Sequence, residues 1–228
     1  MRRLEFARKA LRNPAGSCLV KFGLTQVLCS ATIEATVPPF LRDTGRGWIT
    51  AEYSMLPGST PGGRKPREIG KRDGRSTEIQ RLIGRSLRTA VDLSLLGEVT
   101  ITVDCDVLEA DGGTRTAAIT GGWVALHDAL AALAAAQGQP GPHHYLIGQI
   151  AAVSVGIVDG EIVCDLDYAQ DSHADVDMNV VRRDEALIEV QGTGENGSFT
   201  RRQLNDLLDA AEAGIDEIMA AQRAVLRQ

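Results

Sequence analysis

With 228 residues, 43% of them apolar and 24% charged, the chain is long enough for one large domain or two fused halves sharing a core, and its composition excludes a disordered chain. It has no run of eighteen apolar residues and no charged-then-apolar leader at Met1, so a cytoplasmic protein with no membrane partner is expected. The formal charge of −6 argues against a polyanionic partner, but its distribution argues for one. Arg42 to Arg88 carries eleven Arg or Lys against five Asp or Glu, a local +6 on an acidic body, which suits a protein that grips a polyanion at a single place.

In chain order, Gly16 to Ile33 reads as two strands around the turn Gly23-Leu24-Thr25, and Trp48 to Met55 as another strand. Leu56 to Arg75 is rich in Pro and Gly interleaved with basic residues and reads as a loop. Ser76 and Glu78 open a helix to about Leu95, with Ile79, Leu82, Ile83, Leu87, Ala90 and Val91 on one face and Arg81, Arg85 and Arg88 on a neighbouring one. Val99 to Val107 alternates strictly, as a half-buried strand does. An alanine-rich helix runs from Thr116 to near Gln137. Ile150 to Val158, the turn Asp159-Gly160 and Glu161 to Asp167 predict a hairpin. Ala174 to Val181 and Ala186 to Gln191 supply two more strands, and Gly192 to Gly197 a loop. Thr200 with Gln203 is a capping box for a last helix. Strands in runs, each run followed by helices, over two rounds, predict an α+β fold of duplicated β-β-α-type organisation.

Three stretches concentrate polar chemistry. In Ala110-Asp111-Gly112-Gly113-Thr114-Arg115-Thr116, a helix start offers unpaired N–H groups to an anion. The glycines admit close approach, Thr114 adds a hydroxyl and Arg115 a planar positive fork. A plain turn and N-cap would use similar residues, but the loop reads better as a phosphate site. Its spacing matches neither a P-loop nor a dinucleotide fingerprint. Asp73-Gly74-Arg75-Ser76 repeats the same logic, and the two loops serve one phosphate if tertiary contact brings them together. The third stretch is the acidic run from Asp165 to Asn179. Asp175 and Asp177 share a strand face and Asp171 lies in the preceding turn, a grouping that suits Mg²⁺ shared with substrate phosphates, although strand ends and turns are often acidic for solubility alone. Cys18, Cys29, Cys105 and Cys164 sit in apolar or alternating runs and read as reduced, buried side chains. The four histidines, with no metal-ligand spacing, read as structural or solvated.

Together, several collinear strings closely resemble the ribonuclease PH family: Gly47 to Pro57, Glu78 to Arg88, Asp104 to Leu108, Ala110 to Thr116, Val176 to Asn179 and Gln191 to Glu195. The resemblance runs from about Gly16 to the final helix. It implies two β-α-type halves packed as one domain over residues 1–228, assembled as a homohexameric ring, a trimer of dimers. It implies a phosphate-dependent 3′→5′ exoribonuclease that trims RNA 3′ ends, notably of precursor tRNA, and releases nucleoside diphosphates. By the same resemblance Arg75, Gly113, Thr114 and Arg115 bind inorganic phosphate, the co-substrate. Asp171 and Asp177 are the catalytic aspartates that hold Mg²⁺ or Mn²⁺, which makes Asp175 secondary. Arg64 and Arg67 match arginines of assembly and RNA contact, and Arg81 and Arg85 extend that basic surface.

Two departures stand out. The family usually begins with an Arg-x-Asp-Gly-Arg segment, whereas here Met1-Arg2-Arg3-Leu4 leads into the first strand, so either the true start lies upstream or this member lacks that arm and its RNA contacts. Gly58 stands where many members carry arginine, and Gly62 to Arg67 is the compensating basic loop. Two rival readings are a catalytically silent RNA-binding ring subunit, disfavoured by retention of Arg75, Arg115, Asp171 and Asp177, and a hydrolytic trimming enzyme, disfavoured by the anion loop.

Overall fold

A computed structural model describes residues 1–64, 66–67 and 73–227. The first half builds a five-stranded sheet from β1 (Leu4–Arg8), β2 (Gly16–Phe22), β3 (Thr25–Glu34), β4 (Trp48–Met55) and β5 (Thr100–Glu109), in the order β1-β2-β3-β5-β4. Neighbours are antiparallel except β4 and β5, which run parallel because α1 (Gly74–Arg88) crosses between them. The second half builds a four-stranded antiparallel sheet from β6 (Ile150–Val158), β7 (Glu161–Cys164), β8 (Val176–Arg183) and β9 (Ala186–Gly194), in the order β7-β6-β8-β9. A short helix α3 (Tyr168–Asp171) links β7 to β8, and α4 (Arg201–Leu226) covers the second sheet.

The element that joins the halves is α2 (Thr114–Gln137), which packs on β2, β3 and β5 of one sheet and on β6 of the other. Among the described residues it is the one helix long and apolar enough to cross a membrane, yet most of it lies buried inside the protein, the position of a core helix. Small residues let it sit close: side chains at Gly121 or Gly122 would run into Val20 or Val103 on the first sheet. One apolar core continues through both halves, from Val20, Phe22 and Ile101 to Val153, Val180 and Ile215. Cys18, Cys29 and Cys105 are buried in it and Cys164 is half-buried; all four are free thiols.

The α+β class with two β-α-type rounds is the observed architecture, and the departures are local. α1 starts at Gly74 and ends at Arg88 rather than near Leu95. Beyond Thr89 the backbone turns outward to other partners: Asp92 N–H donates to the Tyr145 carbonyl, Val91 bridges Leu146, and Ile147 N–H donates to Ala90. These contacts outbid helical continuation. β7 stops at Cys164 because Asp165 adopts φ +66°, which breaks the strand and lets α3 form where a turn was expected. Asp167 caps α3 in a reciprocal box with Gln170. β9 runs on to Gly194, its Gly192, Thr193 and Gly194 still paired with Met178, Asp177 and Val176 of β8. The hairpin of β6 and β7 turns at Asp159 and Gly160 with φ of +52° and +82°, as its sequence predicts.

Candidate functional site

The two helix starts that the sequence singles out are parts of one cavity. A pocket of about 290 Å³ is lined by Arg75, Gly113, Thr114 and Arg115 on one side and by Asp171, Ser172, Asp177 and Glu195 on the other, with Ser154 and Asn179 among its remaining walls. Sequence separation between these residues is large, so the site exists only once both sheets have closed on α2.

The anion-binding side follows from backbone geometry. Gly112 and Gly113 have φ of +74° and +63°, consecutive left-handed residues that turn the N–H groups of the following turn to one side. Gly113 is the N-cap of α2, and no side chain caps the helix there, which leaves the first-turn donors for an anion. Thr114 is buried, with its Oγ1 2.8 Å from the Tyr53 hydroxyl of β4, so its rotamer is fixed. Burial of Tyr53 raises its phenol above the ordinary value, against the pull of Arg75 and Arg115, which keeps it a neutral hydrogen-bond partner. Arg115 is anchored by Nη1 to Glu78 of α1 at 3.3 Å and to Gln191 of β9 at 3.2 Å. Arg75 lies in the first turn of α1, where Asp73 accepts the Ser76 N–H at 2.6 Å and caps the helix.

The facing side is acidic and costly. Burial, then Glu195, raises the Asp171 carboxyl above its ordinary value. Burial, then the neighbouring Asp171, pushes Asp177 up to about 6. Both groups are therefore short of positive partners even with Arg115 nearby, and a cation or a proton would relieve them. Asp171 ends α3, and Asp177 stands on β8 opposite Gly156 of β6. Among the described residues no three His, Cys, Asp or Glu gather as a complete metal cage. Two carboxylates fit the ion that keeps water and takes its other oxygens from substrate phosphates, which is how Mg²⁺ is held.

The four residues expected to bind phosphate and the two expected catalytic aspartates all line this cavity. The expected RNA-contact arginines do not. Arg81 and Arg85 line a separate groove of about 200 Å³ between α1 and the edge strand β4, together with Trp48 and Arg88. There Arg88 stacks 4.3 Å over the Trp48 ring, and Arg85 pairs with Glu189 of β9 at 2.8 Å. Arg64 and Arg67 are exposed on the loop after β4, with Arg67 close enough to oppose the burial-raised carboxyl of Asp106. Lys65 of that basic loop lies outside the described residues. Asp175 precedes β8 and lines no part of the cavity; its carbonyl accepts the N–H of Glu195 and so shapes the turn that presents Glu195.

Ser154, Ser172, Asn179 and Glu195 are site residues that sequence reasoning missed. Asn179 was within reach, since it stands two residues beyond Asp177 on the same strand face. Ser154 was not, because only its register opposite Asn179 places it there. The histidines stay outside the chemistry: His127 leans on Asp128, and His173 caps its own helix through Ala169 and Ser172.

Comparison with known proteins shows the family. Residues 1–131 match the model of the 3′ exoribonuclease family, domain 1, and residues 148–214 match domain 2 of the same family. The ribonuclease PH of Corynebacterium glutamicum is 56% identical over 228 residues, covering 99% of this chain and 92% of that protein. That of Moorella thermoacetica is 57% identical over 229 residues, covering 99% and 90%. Among solved structures, rice (Oryza sativa) Rrp46 superposes with a TM-score of 0.78 at 18% identity, covering 99% of this chain and 95% of its own. The Archaeoglobus fulgidus exosome with RNA bound to the active site gives 0.77 at 23%, covering 96% and 87%. At these identities the structures speak for the fold alone.

Proposed function

Since the chain belongs to the ribonuclease PH family of 3′ exoribonucleases, we propose that Arg75, Gly113, Thr114 and Arg115 hold inorganic phosphate against an RNA 3′ end while Asp171 and Asp177 serve the phosphoryl group being transferred. The activity is that of a phosphorolytic 3′→5′ exoribonuclease, a tRNA nucleotidyltransferase acting in tRNA processing, with phosphate as co-substrate. The observation that carries the residue assignment is the single cavity in which two helix N-termini from the first half face two desolvated aspartates from the second.

Phosphate held by the first-turn N–H groups of α2, the Thr114 hydroxyl and the two guanidinium forks has an oxygen aimed into the cavity. That oxygen attacks the phosphorus joining the last two nucleotides. The bond from phosphorus to the 3′-oxygen of the penultimate nucleotide breaks, the 3′-oxygen takes a proton, and the terminal nucleotide leaves as its diphosphate. Asp171 and Asp177 would hold Mg²⁺ or Mn²⁺, which would supply positive charge against the negative charge developing on the transferred group. One of the two aspartates passes the proton to the leaving oxygen. Positioning and charge supply the catalysis, so the reaction needs no Ser or Cys nucleophile.

The wider assembly follows the same reading. Residues 1–228 work as one domain, supported by α2 packing on both sheets. The protomer closes into a homohexameric ring, a trimer of dimers, in the cytoplasm. Support for this comes from the fold shared with exosome subunits and from the edge strand β9, where Leu187 and Val190 are exposed. Arg64, Arg67, Arg81 and Arg85 guide the RNA strand. Incubation with 3′-extended tRNA and Mg²⁺, with and without phosphate, tests the core of this: nucleoside diphosphates are expected only with phosphate, and monophosphates formed without it would overturn it.

A further inference from the structure

The phosphate loop is gripped from behind by groups that never reach the cavity. The Thr25 hydroxyl at the start of β3 donates to the Gly112 carbonyl at 2.7 Å and accepts the Asp111 N–H at 2.9 Å. From the other flank comes Arg2. Its Nε and Nη2 fork onto the Asp165 carboxylate at 3.0 and 2.6 Å, and its Nη1 donates to the Asp111 carbonyl. The Arg2 backbone N–H adds a further bond to Asp165 at 3.0 Å. The Asp165 side chain is completely buried and that of Arg2 is 16% exposed. A Cβ on Gly113 would lie 3.3 Å from Arg2 Nη2, so the guanidinium lies against the loop's last left-handed residue.

Asp165 belongs to the second half, and its φ of +66° starts the short path to the aspartates. Two residues on, Asp167 caps α3, and Asp171 ends that helix with its N–H on the Asp167 carbonyl at 2.9 Å. The loop is held to this path again where Tyr168 N–H donates to Asp111 Oδ1 at 3.3 Å. A side chain on Gly112 would collide with the backbone of Leu166 and Asp167, so the two segments touch without side chains between them. One guanidinium thus bridges the two walls of the site: it holds the phosphate loop by a carbonyl and the aspartate segment by a carboxylate. A buried ion pair of this kind adds little net stability, because desolvation offsets its attraction. Its geometry is what it contributes.

We infer that Arg2 and Asp165 are positioning residues that set the distance between the phosphate loop and the Asp171 helix, and thereby the affinity for phosphate in its reactive pose. This rests on the phosphorolytic reading above. Because Asp165 neutralises Arg2, the device acts through the guanidinium's shape and not its charge.

Arg2→Lys separates the two, since lysine keeps the charge and loses the fork. Phosphorolysis of a 3′-extended RNA is followed with phosphate varied at saturating RNA, then with RNA varied at saturating phosphate. Wild type, Arg2→Lys and Asp165→Asn are compared, with thermal melts confirming that each is folded at the assay temperature. The expected result is a KM for phosphate raised about tenfold or more in both variants, with the KM for RNA within about twofold of wild type. Folded variants with an unchanged KM for phosphate, or with both KM values raised alike, would overturn the inference. So would failure of both variants to fold, which would make the pair a folding element. A wild type that degrades RNA without phosphate sinks the functional reading and this inference with it, whereas a phosphate-dependent wild type beside an indifferent Arg2→Lys sinks the inference alone.

Discussion

The wall of the cavity built by the first half and the wall built by the second solve opposite problems. The first presents backbone donors left for an anion, set among side chains whose partners are already in place: Thr114 on Tyr53, Arg115 on Glu78 and Gln191, Asp73 on the Ser76 N–H. The second crowds Asp171 and Asp177 into a poorly solvated space beside Glu195, where the charged form of the two aspartates is disfavoured. A site assembled this way stores its electrostatic tension on one side only. A cation or a proton relieves it.

Breaking the tense wall should have the largest effect. Asp177→Asn is expected to lower kcat about a thousandfold, because it removes a carboxylate that serves the developing charge. Yet the same variant should be more stable than wild type at pH 8 in metal-free buffer. The sign follows from the raised carboxyl: with a folded value of about 6, the folded state holds its proton more tightly than the unfolded chain. The stability this contributes is present at pH below about 4 and lost as the pH rises through about 6. Melting of the two proteins across pH 4 to 8 should therefore show a gap of about 1–2 kcal/mol at the upper end that closes at the lower end. A variant that is inactive and less stable at every pH would show that Asp177 is not under this tension.

Arg115→Ala breaks the satisfied wall and should act through phosphate. Loss of a charge-assisted contact of about 1.5–3 kcal/mol lowers kcat/KM for phosphate roughly ten- to hundredfold. Phosphate titrations would check this, and an effect confined to the KM for RNA would contradict it. A smaller change is expected from Arg81→Ala with Arg85→Ala, whose groove is separate from the cavity. Their loss should raise the KM for RNA several-fold and flatten its dependence on salt by roughly one unit of slope per lost phosphate contact, with phosphate kinetics unchanged. Smallest of all, Tyr53→Phe removes only the fixing of Thr114, worth about 0.5–1.5 kcal/mol, and should cost a few-fold in kcat/KM for phosphate.

The same contrast explains what the sequence revealed. A helix start with consecutive glycines, a threonine and an arginine announces its chemistry within seven residues, because N–H groups and φ values are local properties. Hence the loop from Ala110 to Thr116 and the Arg75 turn were readable as anion sites, although nothing local could say that they meet. On the aspartate wall the residues alone left Asp171, Asp175 and Asp177 unranked, and only the resemblance separated them. In the structure Asp175 precedes β8 and does not line the cavity that Asp171 and Asp177 enter. Ser154 was illegible because strand register decides its place, and Glu195 because a turn beyond β9, held by the Asp175 carbonyl, presents it. The end of α1 was misjudged for a similar reason, since Val91 and Asp92 leave the helix for partners more than fifty residues away.

The helix that begins at the phosphate loop is also the helix on which both sheets close. Beyond its first turn, from Ala117 onward, its hydrogen-bonded amides lie in the least solvent-accessible part of the molecule, so hydrogen exchange there should require opening of the whole fold and not local fraying. Heat should then abolish catalysis and structure in a single transition, with no window in which a loosened active site persists on an intact scaffold.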